Sequence, residues 1–247
     1  MLRAVAKQAD LLNTPEAELA STDPSQKVTF FDDFLAAAID ARISSTAGSG
    51  AATEAATKVA DSLSGEITLK SSTDDGINSA NSTTITLDEL NFKANQGGLV
   101  LETRLKIDAI TVVALFVGFT NAISSTVELP LWKTADNIDS DAADACGIGF
   151  DTDGTTDEWF QGGVKATTDT APTHSGSAPG INTYVTLRVE VSSAGAVTGY
   201  INGTAIGAAT ANAVTATVAL TPMIVVSSRS AAQRIMTIDY IWAQQNR

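Results

Sequence analysis

The chain holds one cysteine, one histidine and six prolines in 247 residues, and each scarcity removes a class of explanation. Cys146 alone cannot close an intrachain disulfide, so stability has to come from buried apolar area. No histidine or basic residue stands near it, and it reads as a small buried hydrophobe rather than a reactive thiol. His174 sits in a stretch of Pro, Thr, Ser and Gly with no Gly-x-Ser-x-Gly elbow in the chain, which leaves a Ser-His-Asp scheme without support. Charged residues make up 17 % of the chain and the net charge is −13. Lys and Arg are too few to displace the counterions of a phosphate backbone, so nucleic acid is excluded as a partner. The longest apolar run, 112–119, contains Gly118 and falls far short of a membrane span. Asp10 and Glu16 interrupt the first residues, where a signal peptide would need an unbroken apolar stretch. The expectation is a protein made in a cytoplasm, away from membranes.

Small and β-branched residues fill the space that aromatics, at 6 %, leave open. That composition suits packed sheets with many turns. The clearest stretch is Tyr184 to Gly207. Val185, Leu187, Val189 and Val191 alternate with Thr186, Arg188 and Glu190, the period-two pattern of a half-buried strand. A turn follows at Ser193-Ala194-Gly195, then a returning strand from Val197 to Ile201, and Asn202-Gly203 supplies the two positive-φ positions of a tight hairpin. Leu99 to Ile107 alternates in the same way. Residues 112–120 are apolar throughout, as expected for a central strand covered on both faces. Residues 147–150 and 158–164 form a further hairpin, and 223–227 and 235–242 supply the final strands. Met236, Ile238, Tyr240 and Trp242 share one face under strict alternation, which places Trp242 in the core or at an interface. Residues 36–60, rich in Ala, Ser, Thr and Gly, read equally as a helical excursion or a long surface loop.

Residues 1–27 differ from the rest. Leu2, Val5 and Leu12 recur at helical spacing, and Thr14-Pro15-Glu16 is a helix start. Helices this short do not stand alone. The expectation is an N-terminal arm whose Leu2, Val5 and Leu12 dock on the sandwich or on another subunit, joined by a linker to a β-sandwich over 28–247.

Candidate sites are few. Asp151, Asp153, Asp157 and Glu158 form a carboxylate cluster around Gly154 that could chelate Ca²⁺ through several oxygens. The same residues read as the solvated tip of a hairpin. Asp136, Asp139, Asp141 and Asp144 read as a surface loop. Trp132 and Trp159 are the candidates for stacking on a sugar ring.

FFDDF near the start, GLVLETRLKI, ALFVGFTNA, GIGFDTD followed by Trp159, YVTLRVEV, GYINGTAIG and the terminal TIDYIWAQ together resemble the concanavalin A-like lectin/glucanase jelly roll. More narrowly they resemble its form among tailed-bacteriophage virion proteins. The resemblance implies an all-β fold, a two-sheet antiparallel jelly-roll sandwich, with the N-terminal arm added, and it sets FFDDF beside 236–242. Glycanases of this fold resemble one another in a Glu-x-Asp-x-x-Glu or Glu-x-Asp-x-Glu strand, a spacing absent here. Adjacent pairs such as Asp157-Glu158 point to opposite faces of a strand. The resemblance therefore implies a non-enzymatic structural protein of a virion, a capsid decoration or accessory head protein. Such a protein would dock on capsid or other virion proteins, and on copies of itself as a homo-oligomer, with no cofactor. The alternative is a lectin-like carbohydrate-binding module for adhesion, with or without Ca²⁺.

Overall fold

The computed structural model describes residues 26–247 apart from 75–80, 88 and 124–128. The strands are, in chain order, β1 (Lys27–Asp32), β2 (Ser44–Ala47), β3 (Glu54–Lys58), β4 (Ile67–Lys70), β5 (Ser82–Thr86), β6 (Leu99–Ile107), β7 (Val113–Thr120), β8 (Trp132–Thr134) and β9 (Asn137–Asp139). There follow β10 (Ala145–Asp151), β11 (Trp159–Lys165), β12 (Thr168–Asp169), β13 (Thr173–His174), β14 (Val185–Val191), β15 (Val197–Ile201), β16 (Thr204–Ala205), β17 (Thr221–Ser228) and β18 (Ile235–Asn246). Residues 36–60 thus form neither a helix nor one long loop: they carry two short strands. The predicted arm, with Leu2, Val5 and Leu12, lies outside the described residues.

Two antiparallel sheets make a sandwich. The first runs β16-β15-β14-β6-β18-β4-β3, with β1 also paired to β18; the second runs β12-β11-β10-β7-β17-β5-β2, with β13 on β11. The expected contact between the first and last strands is present: Phe31 lies opposite Trp242 and Asp32 opposite Ile241. Alternation places Leu101, Leu105, Leu187 and Val189 of the first sheet against Leu115, Val117, Ile148 and Phe150 of the second in one apolar core. The Asn202-Gly203 hairpin has φ of 49° and 81°, the left-handed pair that its turn demands. Among the described residues no helix is long and apolar enough to cross a membrane.

β7 is central, between β10 and β17, and buried along its whole length. Its second face meets a separate apolar cluster. Phe116, Phe160, Met223 and Val225 line the outer face of the second sheet, and Leu129, Leu131, Ile138 and Ala142 from the crossover that carries β8 and β9 cover them. Cys146 points into the main core, fully buried. Burial pushes its thiol well above the ordinary range, with the nearby Asp144 carboxylate adding to the effect.

Candidate functional site

The outer face of the second sheet is closed by the chain itself. On β10 the core-facing residues are Cys146, Ile148 and Phe150, so Ala145, Gly147, Gly149 and Asp151 face outward. Phe160 lies over Gly149, where a Cβ would come within 2.4 Å of the ring, and Phe116 lies over Gly147. Aromatic rings occupy the ground that paired carboxylates would need.

Asp151 is the one acid on that strand face, and it is locked. Its carboxylate accepts Arg229 Nε at 2.6 Å, a second contact from Arg229 Nη2, the Lys133 amide at 2.7 Å and the Asp153 amide at 3.1 Å. Burial pushes the Asp151 carboxyl up from its ordinary range, against the pull of the Arg229 guanidinium. Of the predicted Ca²⁺ ligands, then, Asp151 has its oxygens engaged. Asp153 extends into solvent, 57 % exposed and 3.7 Å from Arg229 Nη1. Glu158 turns to His174 Nδ1 at 3.0 Å and to the Gly176 amide at 2.6 Å, while Asp157 is exposed. Among the described residues no three His, Cys, Asp or Glu side chains converge as metal ligands. In the second acidic run Asp144 is no surface residue: it is buried and accepts the Thr215 amide.

The aromatic candidates divide. Trp159 is 1 % exposed and packs on Phe150 at 5.7 Å, so it is a core residue and offers no face to a ligand. Trp132 is half-buried against the second apolar cluster. The accessible tryptophan that the pattern misplaced is Trp242. A β-bulge falls between Ile238 and Tyr240 on β18, with Asp239 the extra residue. One extra residue reverses the alternation beyond it. Met236 and Ile238 face the core, but so do Ile241 and Ala243, and Tyr240 and Trp242 emerge on the outside of the first sheet.

There they join a row that crosses five strands. Phe31 on β1 lies opposite Trp242 on β18, Trp242 opposite Glu102 on β6, Glu102 opposite Arg188 on β14, and Arg188 opposite Tyr200 on β15. Neighbouring strands are about 4.8 Å apart, so the row is about 19 Å long. Its members are fixed by the flanking positions. Tyr240 donates to Glu102 Oε1 at 2.7 Å and packs on Phe31 at 6.3 Å between ring centres. Arg104 Nη1 meets Asp239 at 2.6 Å and its guanidinium lies 4.0 Å over the Tyr184 ring. Arg188 pairs with Glu190, and Tyr200 donates to Glu190 at 3.3 Å. Arg188 Nε is buried and has no hydrogen-bond partner among the described residues. Burial and the hydrogen bond to Glu102 push the Tyr240 hydroxyl above its ordinary range, which keeps it a proton donor. Aromatic planes at both ends and hydrogen-bonding groups between them can hold a ligand that is apolar on its ring faces and polar at its edges.

No family model and no curated protein matches the sequence. The fold has many structural counterparts. A glycosidic hydrolase superposes with a TM-score of 0.58 at 11 % identity, over 87 % of this chain and 95 % of that one. The carbohydrate recognition domain of Emp47p gives 0.57 at 10 % identity, over 92 % and 99 %, and a Bacillus licheniformis β-glucanase 0.55 at 12 %, over 87 % and 97 %. The fold is a concanavalin A-like jelly roll. At these identities the likeness establishes the jelly roll and no activity. It nevertheless overturns the expectation of a capsid decoration or accessory head protein. These counterparts are glycan-cleaving enzymes and a carbohydrate recognition domain, and nothing in the jelly roll ties it to a virion. The exclusion of enzymatic activity falls with it, because that exclusion considered carboxylates within single strands. The outer face of the first sheet brings Glu102 and Glu190 together from two.

Proposed function

We propose that this jelly roll binds carbohydrate, an oligosaccharide lying across the outer face of the first sheet. The row Phe31–Trp242–Glu102–Arg188–Tyr200 carries the reading. Sugar rings present C–H faces that pack on aromatic planes and equatorial hydroxyls that bridge carboxylate and guanidinium. The strands hold these groups rigid before the ligand arrives, so little ordering cost is left for binding. Lectins and glycanases among the structural counterparts agree with this reading. A glycan array probed with the labelled protein tests it: binding to a set of related glycans supports it, and no binding to any glycan removes it.

Glycoside hydrolysis is the second reading, favoured by one observation. Glu190 is the diagonal neighbour of Glu102 on the same face, since Arg188 pairs with Glu102 and Glu190 with Val100. Diagonal positions are about 7 to 8 Å apart at their Cα atoms, near enough for both side chains to reach one bound sugar. Release of reducing ends from the bound glycan, lost in Glu102→Gln and Glu190→Gln, supports hydrolysis; binding with no release leaves the site a lectin.

A further inference from the structure

From the charges of the same row, and resting on the carbohydrate reading, we infer that the ligand is a neutral glycan and not an acidic one. The three cations beside the row already have an acid each. Arg104 meets Asp239 at 2.6 Å, Lys106 meets Glu66 at 3.6 Å, and Arg188 pairs with Glu190. Arg104 and Lys106 also stack over Tyr184, with Lys106 Nζ 4.5 Å from the ring centre. A uronate or sulfate landing on the row finds these three positive charges already paired, and taking it out of water costs more than a shared guanidinium returns. It also meets Glu102 in the middle of the row, and a chain of net charge −13 around it. A neutral sugar meets none of these costs. Its hydroxyls can donate to Glu102, to Glu190 and to the Tyr240 oxygen, and accept from the guanidinium edges, leaving the ion pairs in place. Both aromatic ends match uncharged ring faces, because stacking gains from apolar C–H area.

Affinity electrophoresis and calorimetry with the full chain decide the matter. The probes are cello-, manno- and xylo-oligosaccharides on one side and polygalacturonate and carrageenan oligosaccharides on the other. The expected result is binding in the neutral set alone, with Kd changing less than about twofold between low and high salt, since no net ion pair forms. Trp242→Ala and, should that variant misfold, the half-exposed Phe31→Ala weaken that binding at least tenfold. Tighter binding to the acidic set, weakened by salt and by Trp242→Ala, overturns the inference and leaves the carbohydrate reading standing. No binding in either set overturns both.

Discussion

Replacing Arg229 by Met tests whether the end of β10 is held by its ion pair or merely decorated by it. Asp151 is 1 % exposed, and in the native chain it receives two contacts from the guanidinium, which also donates to the Lys133 carbonyl at 2.8 Å. Methionine fills much of the volume but leaves a buried carboxylate with two amides and no charge partner. Breaking a buried pair on one side costs about 3 to 5 kcal/mol. For a domain of this size that lowers the melting temperature by roughly 10 °C. The loss also depends on pH. Without Arg229 the Asp151 carboxyl rises further above its unfolded value, so the folded state holds the proton more tightly. The penalty is smallest at acid pH, below the ordinary carboxyl range of about 4, and grows as pH rises through the raised folded value. Adding Asp151→Asn keeps an acceptor for the Lys133 amide and removes the charge, and at neutral pH it should restore at least about 2 kcal/mol. Urea unfolding followed by tryptophan fluorescence measures all three, Trp159 being buried in the core. A loss under about 1 kcal/mol in Arg229→Met, or no recovery in the double variant, refutes the reasoning.

Lys133 is fully buried and among the described residues its Nζ has no hydrogen-bond partner, the Phe160 ring lying 5.9 Å away; Lys133→Met should therefore raise stability by about 1 kcal/mol or more in the same unfolding assay. Gly149→Ala should cost about 2 kcal/mol or more, because its Cβ would meet the Phe160 ring at 2.4 Å in a packed cluster. The Cys146 thiol, buried and shifted upward, should resist alkylation in the folded protein even at mildly alkaline pH and react at once in denaturant; fast native labelling would show the core to be open there.

Much of the scaffold is legible in the sequence because it is local. β6 and β14 announce themselves by period two, and the Asn202-Gly203 turn by its φ requirement. The pairing of β1 with β18 follows from the resemblance and is present in register. The site was much less legible. Strict alternation from Met236 to Trp242 sends Trp242 inward, and only the bulge at Asp239, a non-local feature of pairing with β6, turns it out. Trp159 was misplaced for the matching reason: its burial depends on contact with Phe150 across the β10–β11 hairpin. The carboxylate cluster around Gly154 looked like chelation because sequence shows the oxygens and not Arg229, which arrives from β17's far end to claim Asp151. Glu102 and Glu190, far apart in the chain, become neighbours only through the register of β6 with β14.

The outer row is the centre of the account, and titration of the best array ligand into native protein, Trp242→Ala and Trp132→Ala tests it most directly. Trp242→Ala should raise Kd about thirtyfold, the loss of roughly 2 kcal/mol for an aromatic anchor, while Trp132→Ala, on the β8–β9 pair that covers the second sheet, leaves Kd unchanged. The opposite pattern, binding lost with Trp132 and kept without Trp242, would place the ligand on the second sheet and contradict the account.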